Sequence, residues 1–163
     1  MRKEKTITLK DRERELTFKV REMSATQLES WIIRAGLLLA GTGMLESAEV
    51  SKGAGDVMAQ AGKAIAEGGL SALGKMDYEK AKPLLDELLA CCTRIDGGME
   101  QHLTPEVVDG IIEDVKTLFA LRKEALALNF GFFASAAPFA TDAGQSQRQR
   151  EQSSRKISVH SQH

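Results

Sequence analysis

Apolar residues recur at spacings of three and four through most of the chain and alternate with polar ones only near its start. Ile7 and Leu9, then Leu16, Phe18 and Val20, take every second position on either side of the charged run Lys10 to Glu15. A period of two predicts a β-hairpin over about 5–21, with one apolar face and with Lys10, Asp11, Arg12, Glu13, Arg14 and Glu15 in water around the turn. An isolated hairpin is marginal, so it has to lean on a helix or on another sheet edge.

Beyond the hairpin the period becomes helical. Ser24 with Gln27, or Thr26 with Glu29, forms a capping-box signature ahead of Leu28, Trp31, Ile32, Ala35, Leu38 and Leu39, which predicts a helix over about 26–40 that stops at Gly41 to Gly43. Trp31 weighs toward the core, because a large indole is usually buried. Residues 44–76 are rich in Ala, Gly and Ser, and the spacing of Ala61, Ala64, Ile65 and Leu73 stays helical. The many glycines there leave two readings, close backbone approach to a neighbour or a loose connector of weak helices. Asp77 caps a further predicted helix whose stripe of Leu84, Leu85, Leu88, Leu89, Cys92 and Ile95 runs on to Gly97 and Gly98, with Pro83 marking its start or a kink.

The strongest pattern spans His102 to Phe133. Thr104 as a side-chain cap and Pro105 at the first helical position mark a start. Val108, Ile111, Ile112, Val115, Leu118 and Phe119 then share one face, and Leu126, Leu128, Phe130, Phe132 and Phe133 thicken the end. One long amphipathic helix is expected there, with the rest of the chain built against it. The resulting expectation is a mainly α fold, a short N-terminal β-hairpin packed on a small helical bundle, forming a single domain over 1–139. A polar, locally basic tail over 140–163 is expected to be disordered, since its Gln, Ser and Arg content cannot offset the entropy of ordering.

A formal net charge of −1 on 163 residues gives no global bias toward nucleic acid or anionic membrane, and Arg148, Arg150, Arg155 and Lys156 of the tail read first as solubilising. Cys91 and Cys92 are adjacent, which disfavours a mutual disulfide, offers no metal-ligand spacing and suits two packed thiols in a reducing compartment. The N-terminus lacks the apolar core of a secretory signal, and the run from Trp31 to Leu45 is too short and too interrupted to span a bilayer. His102, His160 and His163 are the only histidines, and the glycine-rich pieces lack the context of a phosphate-cradling loop. No enzyme activity, cofactor or metal is therefore expected. What remains is a helical protein with apolar faces, suited to binding another protein.

The order of these elements, a TITLKD-RE-LTFKVREMSA hairpin, a capped helix with ESWIIRAGLLLAG, then LTPEVVDGIIEDVKTLFALRKEALALNFGFF, resembles the tail assembly chaperones of long-tailed bacteriophages and prophages. The resemblance implies a non-enzymatic assembly factor in the cytoplasm of the bacterial host. Its partners would be the tape measure protein, which it coats and keeps soluble, and the tail tube protein, to which it hands that client; some members also form homo-oligomers. Two other readings stay open, a structural tail or neck connector of the virion and a small regulatory adaptor whose basic tail touches DNA. On the chaperone reading, client contact is expected through the Trp31 helix with Leu38, and through Leu126, Phe130, Phe132 and Phe133.

Overall fold

The computed structural model describes residues 1–42 and 54–135. The expected tail over 140–163 and part of the Ala/Gly-rich stretch lie outside the described residues. Strands β1 (Glu4–Asp11) and β2 (Arg14–Arg21) are followed by helices α1 (Ala25–Ala40), α2 (Ala54–Gly68), α3 (Leu70–Leu73) and α4 (Tyr78–Ala90). Strands β3 (Cys92–Asp96) and β4 (Met99–His102) come next, then the short helix α5 (Pro105–Val108) and the long helix α6 (Val115–Ser135).

The four strands form one antiparallel sheet in the order β1-β2-β3-β4. This corrects the expectation of a mainly α bundle with a short hairpin: the fold is a mixed helix-and-sheet architecture in which the hairpin is half of a larger sheet. The residues Cys92 to Asp96 were expected to continue the α4 helix, since Cys92 and Ile95 keep its spacing. Instead the helix ends at Ala90 with Cys91 as its C-cap, and the segment crosses to pair with β2, Val20 facing Cys92 and Thr17 facing Ile95. Asp96 then pairs with Met99 across a two-residue turn whose glycines, Gly97 at φ 56° and Gly98 at φ 90°, occupy the left-handed region that a tight hairpin requires. Gly97 and Gly98 are therefore a hairpin turn and not a helix stop.

Register decides what each face of the sheet carries. Ile7 faces Phe18 and Leu9 faces Leu16, so these share the face toward the helices, where Leu16, Phe18 and Val20 are buried. Thr6 and Thr8 of β1 point to the opposite face and are exposed. Trp31, Ile32, Ala35 and Leu39 of α1, Leu84, Leu88 and Leu89 of α4, and Leu121, Ala125 and Phe130 of α6 complete the buried core.

Local chemistry sets the helix ends. Ser24 forms the expected capping box with Gln27, and Asp77 accepts from the Glu79 amide at 3.1 Å. Thr104 has the extended backbone of a cap, but its side chain makes no cap hydrogen bond. The single long helix expected from Thr104 onward is two helices, because Asp109 and Gly110 end α5 in a turn and α6 begins afresh at Val115. Ile111 and Ile112 are buried in that connection. The new start is capped by Asp114, whose Oδ1 accepts from the Lys116 amide at 2.9 Å.

Asp11, expected in water, is fully buried. Its carboxylate accepts from the backbone amides of Glu113 at 3.0 Å and Asp114 at 2.9 Å, and from Arg14 at 3.3 Å. Burial pushes this carboxyl up, but the two amides, with Thr117 and Arg14, together push it down further and leave it below its ordinary value. Where α2 of the Ala/Gly-rich region packs on its neighbours, glycine on either side marks close approach. A Cβ at Gly36 would lie 3.0 Å from that of Ala61, and one at Gly62 would lie 2.6 Å from the Phe133 ring.

Two predictions follow from the hairpin end. Asp11→Asn is expected to destabilise the protein by about 1–3 kcal/mol, the usual cost of weakening buried charge-assisted hydrogen bonds. Because the folded carboxyl titrates below the unfolded one, near ~3.9, its contribution is full above that pH and is lost as pH falls through the folded value. Urea unfolding between neutral and acid pH should therefore show a shallower acid decline in the variant, and an equal decline would remove Asp11 as a source of it. Arg12 sits in the turn at φ 54°, so Arg12→Gly should raise stability by roughly 0.5–1 kcal/mol in the same assay.

Candidate functional site

Helix α4 stands between two apolar grooves. On one side, Leu37 and Leu38 of α1 face Pro83 and Leu84 across an open cavity of about 320 Å³, with Arg34 and Lys80 at its rim. On the other, Leu70, Leu73 and Met76 meet Leu85 of α4 and Phe119 of α6 around a cavity of about 210 Å³, with Tyr78 at its mouth. Large apolar side chains are left in water here: Leu37 is 67% exposed, Tyr78 64% and Phe119 53%. Each groove thus carries at least one large apolar side chain exposed beside an apolar cavity, the arrangement that a partner's side chain can fill.

The α1–α4 groove has its two walls tied together by polar contacts. Arg34 grips Glu87 through two hydrogen bonds of 2.6 and 2.7 Å, a fork-to-fork pair that fixes α1 against α4. Deeper, the Trp31 indole N–H donates to the Leu84 carbonyl at 3.1 Å, and its ring lies 4.9 Å from that of Phe130. Lys82 and Asp86 pair along α4 at 2.6 Å.

The expected contact residues separate into two groups. Trp31, Leu126 and Phe130 are buried, so in this conformation they form core and offer no surface. Leu38 is half-buried and lines the α1–α4 groove. Phe132 is 36% exposed and its ring lies 4.2 Å from that of Phe133, which is half-buried against Gly62. The fold thus brings Trp31 and Phe130 together inside, and Phe132 and Phe133 together at the end of α6, without joining either pair to Leu38 in one surface. Leu37, Tyr78, Pro83 and Phe119 were not expected as contact residues from the sequence. A signal existed for the first: Ile33 and Leu37, four apart, make α1 apolar on more of its circumference than one packed face needs.

A third cavity, of about 300 Å³, is lined mainly by polar and charged residues and lies where β2 and β3 meet the ends of α1 and α4. Lys19 binds Glu100 there and holds its carboxyl below the ordinary value, and the Thr93 hydroxyl lies 3.1 Å from His102 Nδ1. Cys91 also borders it, but burial pushes the Cys91 thiol up to about 11 and the Cys92 thiol up to about 12, so both stay protonated at neutral pH. Among the described residues no group of three or more His, Cys, Asp or Glu could hold a metal ion, and no helix is long and apolar enough to cross a membrane.

Among the described residues, fold and surface together give a small helix-and-sheet protein whose distinguishing features are apolar grooves and not a cluster of reactive side chains. A family model for the phage tail assembly chaperone protein, TAC, matches residues 15–140, and the chain belongs to that family, with a role in phage tail assembly. Comparison with curated proteins and with solved structures found no match.

Core and groove residues should respond differently to substitution. Phe130→Ala is expected to cost about 3–5 kcal/mol in urea unfolding, the range for truncating a buried aromatic. Leu37→Asp should change stability by no more than ~0.5 kcal/mol, as at other exposed sites. A comparable loss for both would mean that Leu37 is part of the core.

Proposed function

We propose that this chain binds the tape measure protein through the two grooves that flank α4, keeps that long client soluble in the cytoplasm of the bacterial host, and releases it to tail tube subunits. The observation that carries the reading is the pair of apolar grooves on a member of a tail assembly chaperone family. A groove between packed helices accepts large side chains repeating at i, i+3 and i+4 on an amphipathic client helix, and the rim charges keep the unoccupied chaperone in solution. The role is non-enzymatic. Binding here needs shape and apolar area, and no residue has to move a proton or hold a metal.

The test is co-expression with the tape measure protein encoded by the same phage or prophage, followed by co-purification and analysis of assembled particles for this chain. Wild type should raise the soluble fraction of the client and be absent from the finished particle. Leu37→Asp and Phe119→Asp should each weaken binding by roughly tenfold, the loss of one or more kcal/mol of apolar burial, while leaving the circular dichroism spectrum unchanged. Client solubility that is indifferent to both substitutions would sink the grooves as the binding surface. Absence of rescue together with retention in the particle would make the chain a structural tail component.

A further inference from the structure

Phe119 is flanked along α6 by cations. Lys116 precedes it by three residues, and Arg122 and Lys123 follow it by three and four, the spacings that share a helix face. Lys116 and Lys123 are exposed like Phe119 itself, and neither lysine side chain makes a hydrogen bond or ion pair among the described residues. Arg122 is mostly buried and lies 3.8 Å from Asp86 Oδ1, on a carboxylate that Lys82 already engages through Oδ2 at 2.6 Å. Its Nε is sealed from solvent and has no hydrogen-bond partner among the described residues. The acids near these cations are committed elsewhere: Glu124 to Lys5 at 2.7 Å, Glu113 to Arg14 at 2.9 Å, and Asp114 to capping the helix. Glu106 of α5 feels the charge of Lys82 but forms no ion pair with it. Lys116 does nothing for the helix either, since it stands in a first turn that holds no acidic residue, at the end where the dipole disfavours a cation.

We infer that the groove bearing Phe119 takes an amphipathic client helix whose apolar anchor is flanked by acidic residues, with the anchor against Phe119 and Leu85 and the carboxylates on Lys116, Lys123 and Arg122. This rests on the groove reading above and adds to it the charge of the client. Lys116 and Lys123 are seven residues apart, ~10 Å along the axis, so acids one turn before and one turn after an anchor come level with both when a client helix lies along α6. The lysine stems also extend the apolar cover around the anchor. The formal net charge of the chain is −1, so this surplus of positive charge is local. In the α1–α4 groove Arg34 is already spent on Glu87, which leaves only Lys80 at the rim. A nucleic acid could meet the same cations, but Leu70, Leu73, Met76 and Leu85 offer the edge of a base no side-chain hydrogen bond, which favours an aliphatic anchor.

Three helical peptides of equal length test the inference, each with leucine at the anchor positions and with Glu, Gln or Lys three residues before and four after every leucine. Their affinity for the full chain is read by fluorescence anisotropy at low and high salt. The Glu peptide should bind about tenfold tighter than the Gln peptide at low salt, the Lys peptide weakest, and the differences should close as salt rises. Long-range attraction to a chain of net charge −1 would favour the Lys peptide, so a preference for Glu reports the local cations. Lys116→Gln combined with Lys123→Gln should remove most of the difference between the Glu and Gln peptides, and Arg122→Gln should reduce it further. If Arg122→Gln does not fold, the double variant decides alone. A difference that survives the double variant would place the acidic peptide elsewhere, as on the basic residues beyond 140, and would overturn the inference. Displacement of the Glu peptide by an equal concentration of a single-stranded oligonucleotide would overturn it in favour of nucleic acid. Equal affinity for all three peptides, lost in Phe119→Asp, would keep the groove and overturn the charge preference alone. Binding of none of them, or binding indifferent to Phe119→Asp, would overturn both.

Discussion

Helix α6 is fixed to the rest of the molecule by two buried polar side chains, and the arrangement of the other helices depends on where they hold it. At its start, Asp11 from the hairpin turn satisfies the amides of Glu113 and Asp114. Toward its end, fully buried Asn129 accepts from the Met23 amide at 2.8 Å and donates to the Ala125 carbonyl at 2.8 Å. An unpaired polar group at either position would cost about 1–3 kcal/mol, so each contact selects one placement of the helix along the sheet. Apolar packing is tolerant of small slips; these hydrogen bonds are not.

With α6 placed, the remaining geometry follows. Asn129 brings Phe130 beneath Trp31, and Trp31 in turn reaches the Leu84 carbonyl, which sets α4 beside α1. The Arg34–Glu87 fork secures the same pair of helices nearer the surface. Phe119, two turns before the deeply packed Leu126, is left at the rim, because Leu121 and Ala125 already occupy the face turned to the sheet. The exposed grooves are thus a consequence of a well-determined core and not a sign of loose packing.

What could be read from the sequence was mostly local. The capping box at Ser24, the Asp77 cap and the first hairpin are specified within a few residues, and each is present. The second hairpin was hidden because Cys92 and Ile95 happen to continue a helical stripe, although the Asp96-Gly97-Gly98 sequence carried the turn signal. The break between α5 and α6 was hidden in the same way, since Val108, Ile111, Ile112 and Val115 hold a helical spacing across a turn. Asp11 could not be read at all: a carboxylate in a charged run is usually solvated, and its partners lie about a hundred residues away. For the candidate surface, apolar density pointed to the aromatic end of α6. Yet the densest positions, Phe130 and Leu126, are those the core takes first, and exposure falls instead on Leu37 and Phe119.

The two grooves also bear on how a client would be released. At about 210 and 320 Å³ each is small, so on the proposed reading a client helix would gain a few kcal/mol per groove, and affinity would have to come from several chaperones along one chain. On that proposed reading, binding would be strong in sum and weak at each step, so that tube subunits would displace chaperones one at a time. A single deep pocket of equal total affinity would have to be vacated all at once. The core makes this division feasible, because Trp31, Phe130 and Leu126 are already satisfied within the chain and need not be exposed and reburied with each cycle of binding.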